Sequence, residues 1–188
     1  MTFTIRAMEL SDLVSIERIQ AEAYGNYFLE SSDVIAQRFH ASPATAWVAE
    51  RDGLVCAYLV GYLSNVGKIN PLNATFTPLA DANCLYLHDL ALSKNAQGFG
   101  VAKQLIQVAT QYALERVVTA LALLSVQNSK AFWQNIGFSE YDKLDSIQKK
   151  NLESYLLSED AAYYMVKMLQ YSMLKNDYFL RKVIPTSK

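Results

Sequence analysis

Six consecutive residues, Gln97-Gly98-Phe99-Gly100-Val101-Ala102, carry the strongest chemical signal in the chain. They join an apolar run at residues 85–92 to a helical pattern, and so form a strand-to-helix turn. Backbone N–H groups at a helix start have no partner within the helix, and the helix dipole favours negative charge there. Glycines at 98 and 100 let a bulky anion approach the main chain. A phosphate or pyrophosphate suits such a cradle. The spacing is not a P-loop, and Lys103 stands where the dinucleotide fingerprint needs its third glycine. It is [QR]-x-x-G-x-[GA], spelled by Gln97, Gly100 and Ala102. On these residues alone the turn is either a phosphate cradle or a helix start whose small residues permit close packing.

The strand before it, Leu85-Tyr86-Leu87-His88-Asp89-Leu90, holds the other reactive groups. Regular alternation puts Tyr86 and His88 on one face, Leu87 and Asp89 on the other. His88 has an unperturbed pKa suited to general-base work near neutrality. A lone histidine in an apolar strand reads equally as a hydrogen-bonded core residue. Asp89 would orient the loop or cap a helix, and is not assigned to catalysis. Cys84 has no base visibly paired with it, so it reads as a buried thiol instead of a nucleophile. His40 closes a helical pattern, where a cation is structurally sensible.

These groups need a scaffold, and the periodicities supply one. Strands are expected at residues 3–8, 46–49, 54–63, 85–92, 120–126 and 162–168, with Gly137-Phe138 starting a short return strand. Helices are expected after Ser11 or Asp12, after Ser31, over 98–116, over 129–135 and over 146–157. The order is an antiparallel meander followed by one β-α-β crossover: a mixed α/β fold, with a mostly antiparallel sheet flanked by helices. Residues 64–83 show no period, and a connection this long is functional or mobile. Residues 1–169 read as one domain. The extension at 170–188 is too apolar for a free tail and is expected to pack on the domain or on a partner, which hints at a homodimer.

Composition narrows the partners. With 17 Lys+Arg against 18 Asp+Glu and a net charge of −1, no concentrated positive field exists to grip nucleic acid or an anionic membrane. Two cysteines and two histidines offer no zinc spacing, and no metal is expected. No basic segment followed by an apolar one opens the chain, and no apolar run reaches the ~18 residues of a spanning helix. A cytoplasmic protein is expected.

Residues 88–106 resemble the acetyl-CoA-binding motif of the GNAT superfamily of N-acetyltransferases. The segment Ser129-Lys-Ala-Phe132-Trp133-Gln-Asn-Ile-Gly137-Phe138 is similar to that family's F-[YW]-x-x-x-G-F region, and the element order matches over most of residues 2–168. The resemblance implies acetyl-CoA as acyl donor. Its pyrophosphate would lie on Gln97, Gly98, Phe99, Gly100, Val101 and Ala102, and its pantetheine against the main chain of Leu90, Ala91 and Leu92. The Leu92 amide would meet the oxyanion. Asn128 and Trp133 would touch the cofactor, with Ser129 a helix cap. Arylalkylamine N-acetyltransferases look similar around the strand, with histidines at the positions of Tyr86 and His88; lysine acetyltransferases place a glutamate at Tyr86. His88 is therefore the candidate base for an ammonium whose pKa lies near ~10, with Tyr86 beside it. Tyr24, Tyr27 and Glu30 fall where the family builds its acceptor pocket.

The chain departs from the pattern at Trp133, where many members have a tyrosine that protonates the departing thiolate. An indole N–H only donates hydrogen bonds and supplies no such acid. Tyr141 and Tyr164 are the conceivable substitutes. The implied activity is N-acetylation of a small-molecule primary amine by direct attack in a ternary complex. The alternatives are a peptide or protein acetyltransferase with an open groove, and a non-catalytic acyl-CoA sensor.

Overall fold

A computed structural model describes residues 2–24, 29–156 and 161–170. Tyr27 and the apolar tail beyond residue 170 lie outside them, so the packing expected of the tail is not addressed by the structure. Seven strands form a single sheet: β1 (Thr4–Ala7), β2 (Ala46–Arg51), β3 (Leu54–Ser64), β4 (Cys84–Leu92), β5 (Ala120–Ser125), β6 (Ser139–Glu140) and β7 (Tyr163–Met168). Their order is β1-β2-β3-β4-β5-β7-β6. Every neighbouring pair is antiparallel except β4 and β5, which are parallel and joined by the expected crossover through a helix. The helices are α1 (Leu13–Tyr24), α2 (Ser32–Ala41), α3 (Val101–Glu115), α4 (Lys130–Asn135) and α5 (Ser146–Glu153). Among the described residues no helix is long and apolar enough to cross a membrane.

Alternation along the strands loads both faces of the sheet. Leu59, Leu85, Leu87, Leu121 and Leu123 pack against the α3 stripe of Val101, Leu105, Ala109 and Ala113, with Trp133 and Phe138 at one end. Each such leucine, fully buried, contributes roughly 1.5–3 kcal/mol. On the opposite face Tyr58 and Val60 meet Ile16, Ile19 and Ile35 of α1 and α2. Farther along that face Tyr62, Phe76, Tyr86, Tyr155 and Tyr164 form an aromatic cluster.

The helix expected over 98–116 begins at Val101, because Gly98 and Gly100 have φ of +82° and +76°. Those are left-handed values that a helix cannot absorb. Ser31 caps α2, its hydroxyl accepting from the Val34 N–H, and Asp145 caps α5 by accepting from Gln148.

The irregular segment at 65–83 is fastened down. Its Gly67 N–H donates to the Tyr164 hydroxyl (2.9 Å) and its Ile69 N–H to Gln148 Oε1 (2.7 Å). From α5 and the turn after it, Asn151 donates to the Ile69 carbonyl (2.8 Å) and Tyr155 to the Asn70 carbonyl (2.9 Å). This segment and α5 together roof the aromatic cluster.

Two features of β4 position the site. Its parallel ladder with β5 runs only from Cys84–Ala120 to Leu87–Leu123, after which the strands part. Its ladder with β3 slips there too: Gly61 pairs with Leu87 but Val60 with Asp89, leaving His88 as the extra residue of a β-bulge. The bulge corrects the regular alternation expected from sequence. His88 and Asp89 both face α1 and α2, while Leu87 and Leu90 face α3. Gly61 is required opposite, since a Cβ there would sit 2.5 Å from the Tyr86 carbonyl oxygen.

Candidate active site

Where β4 and β5 part, a cleft of about 580 Å³ opens. One wall is β4 from Leu87 to Leu92, and the other comprises Leu123, Leu124, Val126, Gln127 and the start of α4. The Ser93 N–H donates to the Cys56 carbonyl at 2.8 Å, which marks a hydrogen-bonded antiparallel pair. Counting back along the unbroken register, Ala91 and Asp89 also turn their main-chain groups to β3. Leu90 and Leu92 therefore present N–H and C=O groups to the cleft, a half-ladder with no strand opposite among the described residues.

At one end of the cleft lies the glycine turn. Gly100 is the N-cap of α3 and no side chain caps it. A Cβ built on Gly98 or Gly100 meets nothing within 4 Å, so the space before the helix is open. A helix of 15 residues directs its unpaired N–H groups there. Gln97, Gly98, Gly100, Val101 and Ala102 line this end, whereas the Phe99 side chain leans on Phe3, ring centroids 6.2 Å apart. The turn is open to an anion and is not filled by side chains.

The other side of β4 meets a smaller pocket of about 50 Å³, lined by Gln20, Tyr24, Glu30, Leu72, Tyr86, His88, Asp89, Leu124, Val126 and Tyr155. His88 and Glu30 are both there, but in company absent from the sequence reading. Arg38, 3% exposed in its side chain, projects from α2 between them. It donates Nη1 to Glu30 and lies 2.6 Å from His88 Nε2 through the same nitrogen. Nε and Nη2 both go to the Ala74 carbonyl (2.9 and 2.7 Å), and the guanidinium lies 5.1 Å from the Phe76 ring centroid. A guanidinium only donates. His88 Nε2 is therefore the acceptor in this contact, and it also stands 3.7 Å from Glu30 Oε1.

Asp89 sits one residue on, its carboxylate accepting from the hydroxyls of Tyr24 and Tyr58. Burial pushes its pKa up, against the two tyrosine hydrogen bonds that pull it down. Burial, with Asp89 nearby, likewise pushes Tyr24 well above the ordinary tyrosine value. Tyr86 is 1% exposed and burial raises it in the same way, so its hydroxyl stays protonated.

Other expectations resolve here. Trp133 Nε1 donates to Ser129 Oγ (3.2 Å), and the ring packs between Phe132 and Phe138 while bordering the cleft. Ser129 stands at the N-cap of α4 but caps no N–H; its hydroxyl donates to the Val126 carbonyl at 2.7 Å. Asn128 lines a separate shallow depression with Lys130 and Tyr163, and Gln127 takes the place on the cleft expected for it. Tyr141 and Tyr164 border neither the cleft nor the small pocket; Tyr164 receives the Gly67 N–H instead. Burial pushes the Cys84 thiol up to about 12, which suits an inert core residue. Among the described residues no three His, Cys, Asp or Glu side chains come together to hold a metal.

Arg38 was missed because an arginine on a helix reads as solvated. Its signal was position: it falls three residues after Ile35, on the stripe that packs inward.

Comparison with known proteins gives the arrangement its place. A model described as the acetyltransferase (GNAT) family matches residues 13–138. No curated protein sequence matches the chain. The fold is similar to the ribosomal-protein-S18-alanine N-acetyltransferase of Escherichia coli, at 16% identity over 90% of this chain and 95% of that chain, with a TM-score of 0.64. It is similar also to the PaiA N-acetyltransferase of Thermoplasma acidophilum in complex with coenzyme A, at 15% identity over 90% and 100% of the two chains (TM-score 0.65). The N-acetylglutamate synthase of Neisseria gonorrhoeae, complexed with coenzyme A and N-acetyl-glutamate, aligns at 18% identity over 90% of this chain and 36% of that one (TM-score 0.66). The family match takes in α1, the bulged β4, the glycine turn and α4, and on that ground the chain belongs to the acetyltransferase (GNAT) family of acyl-CoA-dependent acyltransferases.

Proposed function

We propose that this protein moves an acetyl group from acetyl-CoA to the primary amine of a small molecule, with both bound at once. The observation that carries this reading is the continuity of the cleft. It runs from an uncapped helix start with open space before it, along the half-ladder of Leu90 and Leu92, to a pocket behind β4. A diphosphate on the glycine turn satisfies the α3 amides. An amide-bearing pantetheine arm completes the half-ladder as an added strand would. Juxtaposing two bound reactants then supplies much of the rate.

The thioester carbonyl needs a donor where its oxygen gains charge. Leu92, expected for this role, shares its outward orientation with Leu90. Leu90 stands two residues nearer His88, and its carbonyl lies 3.4 Å from the Tyr24 hydroxyl. We assign the oxyanion to the Leu90 amide and pantetheine pairing to Leu92. His88, expected as base, has its Nε2 lone pair committed to Arg38, which favours a positioning role over proton removal. Glu30 is likewise engaged by Arg38, so it anchors that arginine instead of an ammonium.

The acceptor pocket favours a small amine over a peptide. Leu72 and Tyr155 are among the residues that line it, and it offers about 50 Å³, room for an amino group and its nearest carbons. Tyr24, Tyr86 and Tyr155 give it aromatic walls. The test is free-thiol release from acetyl-CoA with panels of small amines, amino acids and peptides. Turnover confined to small amines is expected; preference for peptides would refute the acceptor class, and absence of acetyl-CoA binding would refute the reading as a whole.

A further inference from the structure

With Trp133 bonded to Ser129 and His88 held by Arg38, neither of those side chains is placed to carry the proton that must pass from nitrogen to sulfur. Asp89 provides another route. The bulge brings it to the acceptor face, where Oδ1 accepts from Tyr24, Oδ2 accepts from Tyr58, and the Gln20 amide nitrogen stands 3.5 Å from Oδ2. Tyr58 is wholly interior, 1% exposed. Tyr24 is not: it borders both the cofactor cleft and the acceptor pocket, at the junction where nucleophile and thioester must meet. A phenol that donates to a carboxylate keeps lone pairs on the same oxygen. Tyr24 therefore combines an acceptor at the cleft with a carboxylate behind it that can take the hydroxyl's own proton.

The geometry points to Tyr24 as a catalytic residue that carries a proton from the attacking nitrogen to the departing sulfur, with Asp89 as the positioning residue that stores it in between. This rests on the acetyl-transfer reading. The acceptor enters as the neutral amine, its ammonium proton already lost to solvent. Nitrogen bonds to the thioester carbon, and the carbonyl electron pair moves onto oxygen. One N–H proton passes to Tyr24 Oη as the Tyr24 proton passes to Asp89 Oδ1. The carbonyl then re-forms, the C–S bond breaks with its pair on sulfur, and the relay runs backwards to leave a thiol. Amine plus thioester becomes amide plus thiol, and both side chains return to their starting state.

The surroundings suit such a relay. Burial raises the Asp89 pKa above the ordinary carboxylate value and keeps Tyr24 a phenol. The titratable and charged groups around Asp89 are Tyr24 on α1, Tyr58 on β3, adjacent His88, and Glu30, whose charge Arg38 balances.

The experiment compares wild type with Tyr24→Phe, Asp89→Asn, the double variant and Tyr58→Phe. Acetyl-CoA affinity is read by calorimetry, and kcat against pH by thiol release with the best amine of a primary-amine panel. Tyr24→Phe should lower kcat about a hundredfold, as loss of acid–base catalysis does, with acetyl-CoA affinity unchanged. The double variant should be no slower than Tyr24→Phe, since groups acting as a unit are not additive. Asp89 must be ionised to receive a proton, so wild-type kcat should fall at low pH and Asp89→Asn should lack that limb. Tyr58→Phe removes one hydrogen bond to the carboxylate and should move the limb to higher pH while leaving the plateau rate, an effect a merely structural role does not give. Full kcat in Tyr24→Phe, or multiplying losses in the double variant, would overturn the relay alone. Wild type that binds no acetyl-CoA, or binds it and acetylates nothing, would overturn the acetyl-transfer reading and the relay with it.

Discussion

Replacing Gly100 by alanine separates backbone strain from ligand crowding. Its φ of +76° lies in the left-handed region, where an L-residue costs about 1–2 kcal/mol. The added Cβ meets no protein atom within 4 Å, so no packing penalty is added. For a chain of this size the melting temperature should fall by roughly 2–8 °C, at about 2–4 °C per kcal/mol. Ligand binding should suffer far more, because that methyl occupies the space before the α3 amides. Losing one or two charge-assisted hydrogen bonds of about 1.5–3 kcal/mol each weakens coenzyme A by at least about tenfold. Thermal unfolding gives the first quantity, and titration calorimetry with coenzyme A below the melting range gives the second. Affinity within about twofold of wild type, alongside the expected loss of stability, would mean that the diphosphate does not lie on this main chain.

Other perturbations test the neighbouring assignments. Arg38→Met leaves the Glu30 carboxylate, 8% exposed, without its guanidinium partner, though with His88 Nε2 still 3.7 Å away, and should cost about 3–5 kcal/mol in urea unfolding; adding Glu30→Gln should restore much of it. Trp133→Phe forfeits the 3.2 Å bond to Ser129, worth about 1 kcal/mol. Its kcat should stay near wild type; a large fall would return the indole to the chemistry. Asp12 accepts from Arg6 at 2.7 and 2.8 Å, and those bonds hold its folded pKa below the ordinary value. Its stabilisation is therefore complete above the unfolded pKa of about 4 and disappears as pH falls through the folded one. Asp12→Asn should cost about 2 kcal/mol at neutral pH, with the two proteins converging in stability as the solution is acidified below that point.

The scaffold could be read from the chain because periodicity reports it directly. Among the described residues, seven strands and five helices lie where the apolar spacing put them, with ends differing by a few residues. The glycine turn was equally legible, since Gly98 and Gly100 mark positive φ whatever the surroundings. The acceptor side was not. Its chemistry depends on which side chains meet across Arg38, Ala74 and Asp89, contacts far apart in sequence that no local spacing encodes. Asp89 was assigned to the wrong face because alternation presumes an unbroken ladder. Gly61 inside an apolar strand was the one local mark of the break, and it lies on the opposite strand.

A flat ribbon of backbone offers any one layer a side chain only at every second residue, about 6.7 Å apart. The supernumerary residue in β4 overrides that limit, setting an imidazole and a carboxylate shoulder to shoulder. The same insertion bends the strand just where its parallel partner falls away after Leu87. Crowded polarity and vacant edge thus have a common origin in chain length, not in composition. Shortening β4 by that single residue would close the gap and thin out the reactive groups in one stroke, even with every other amino acid retained.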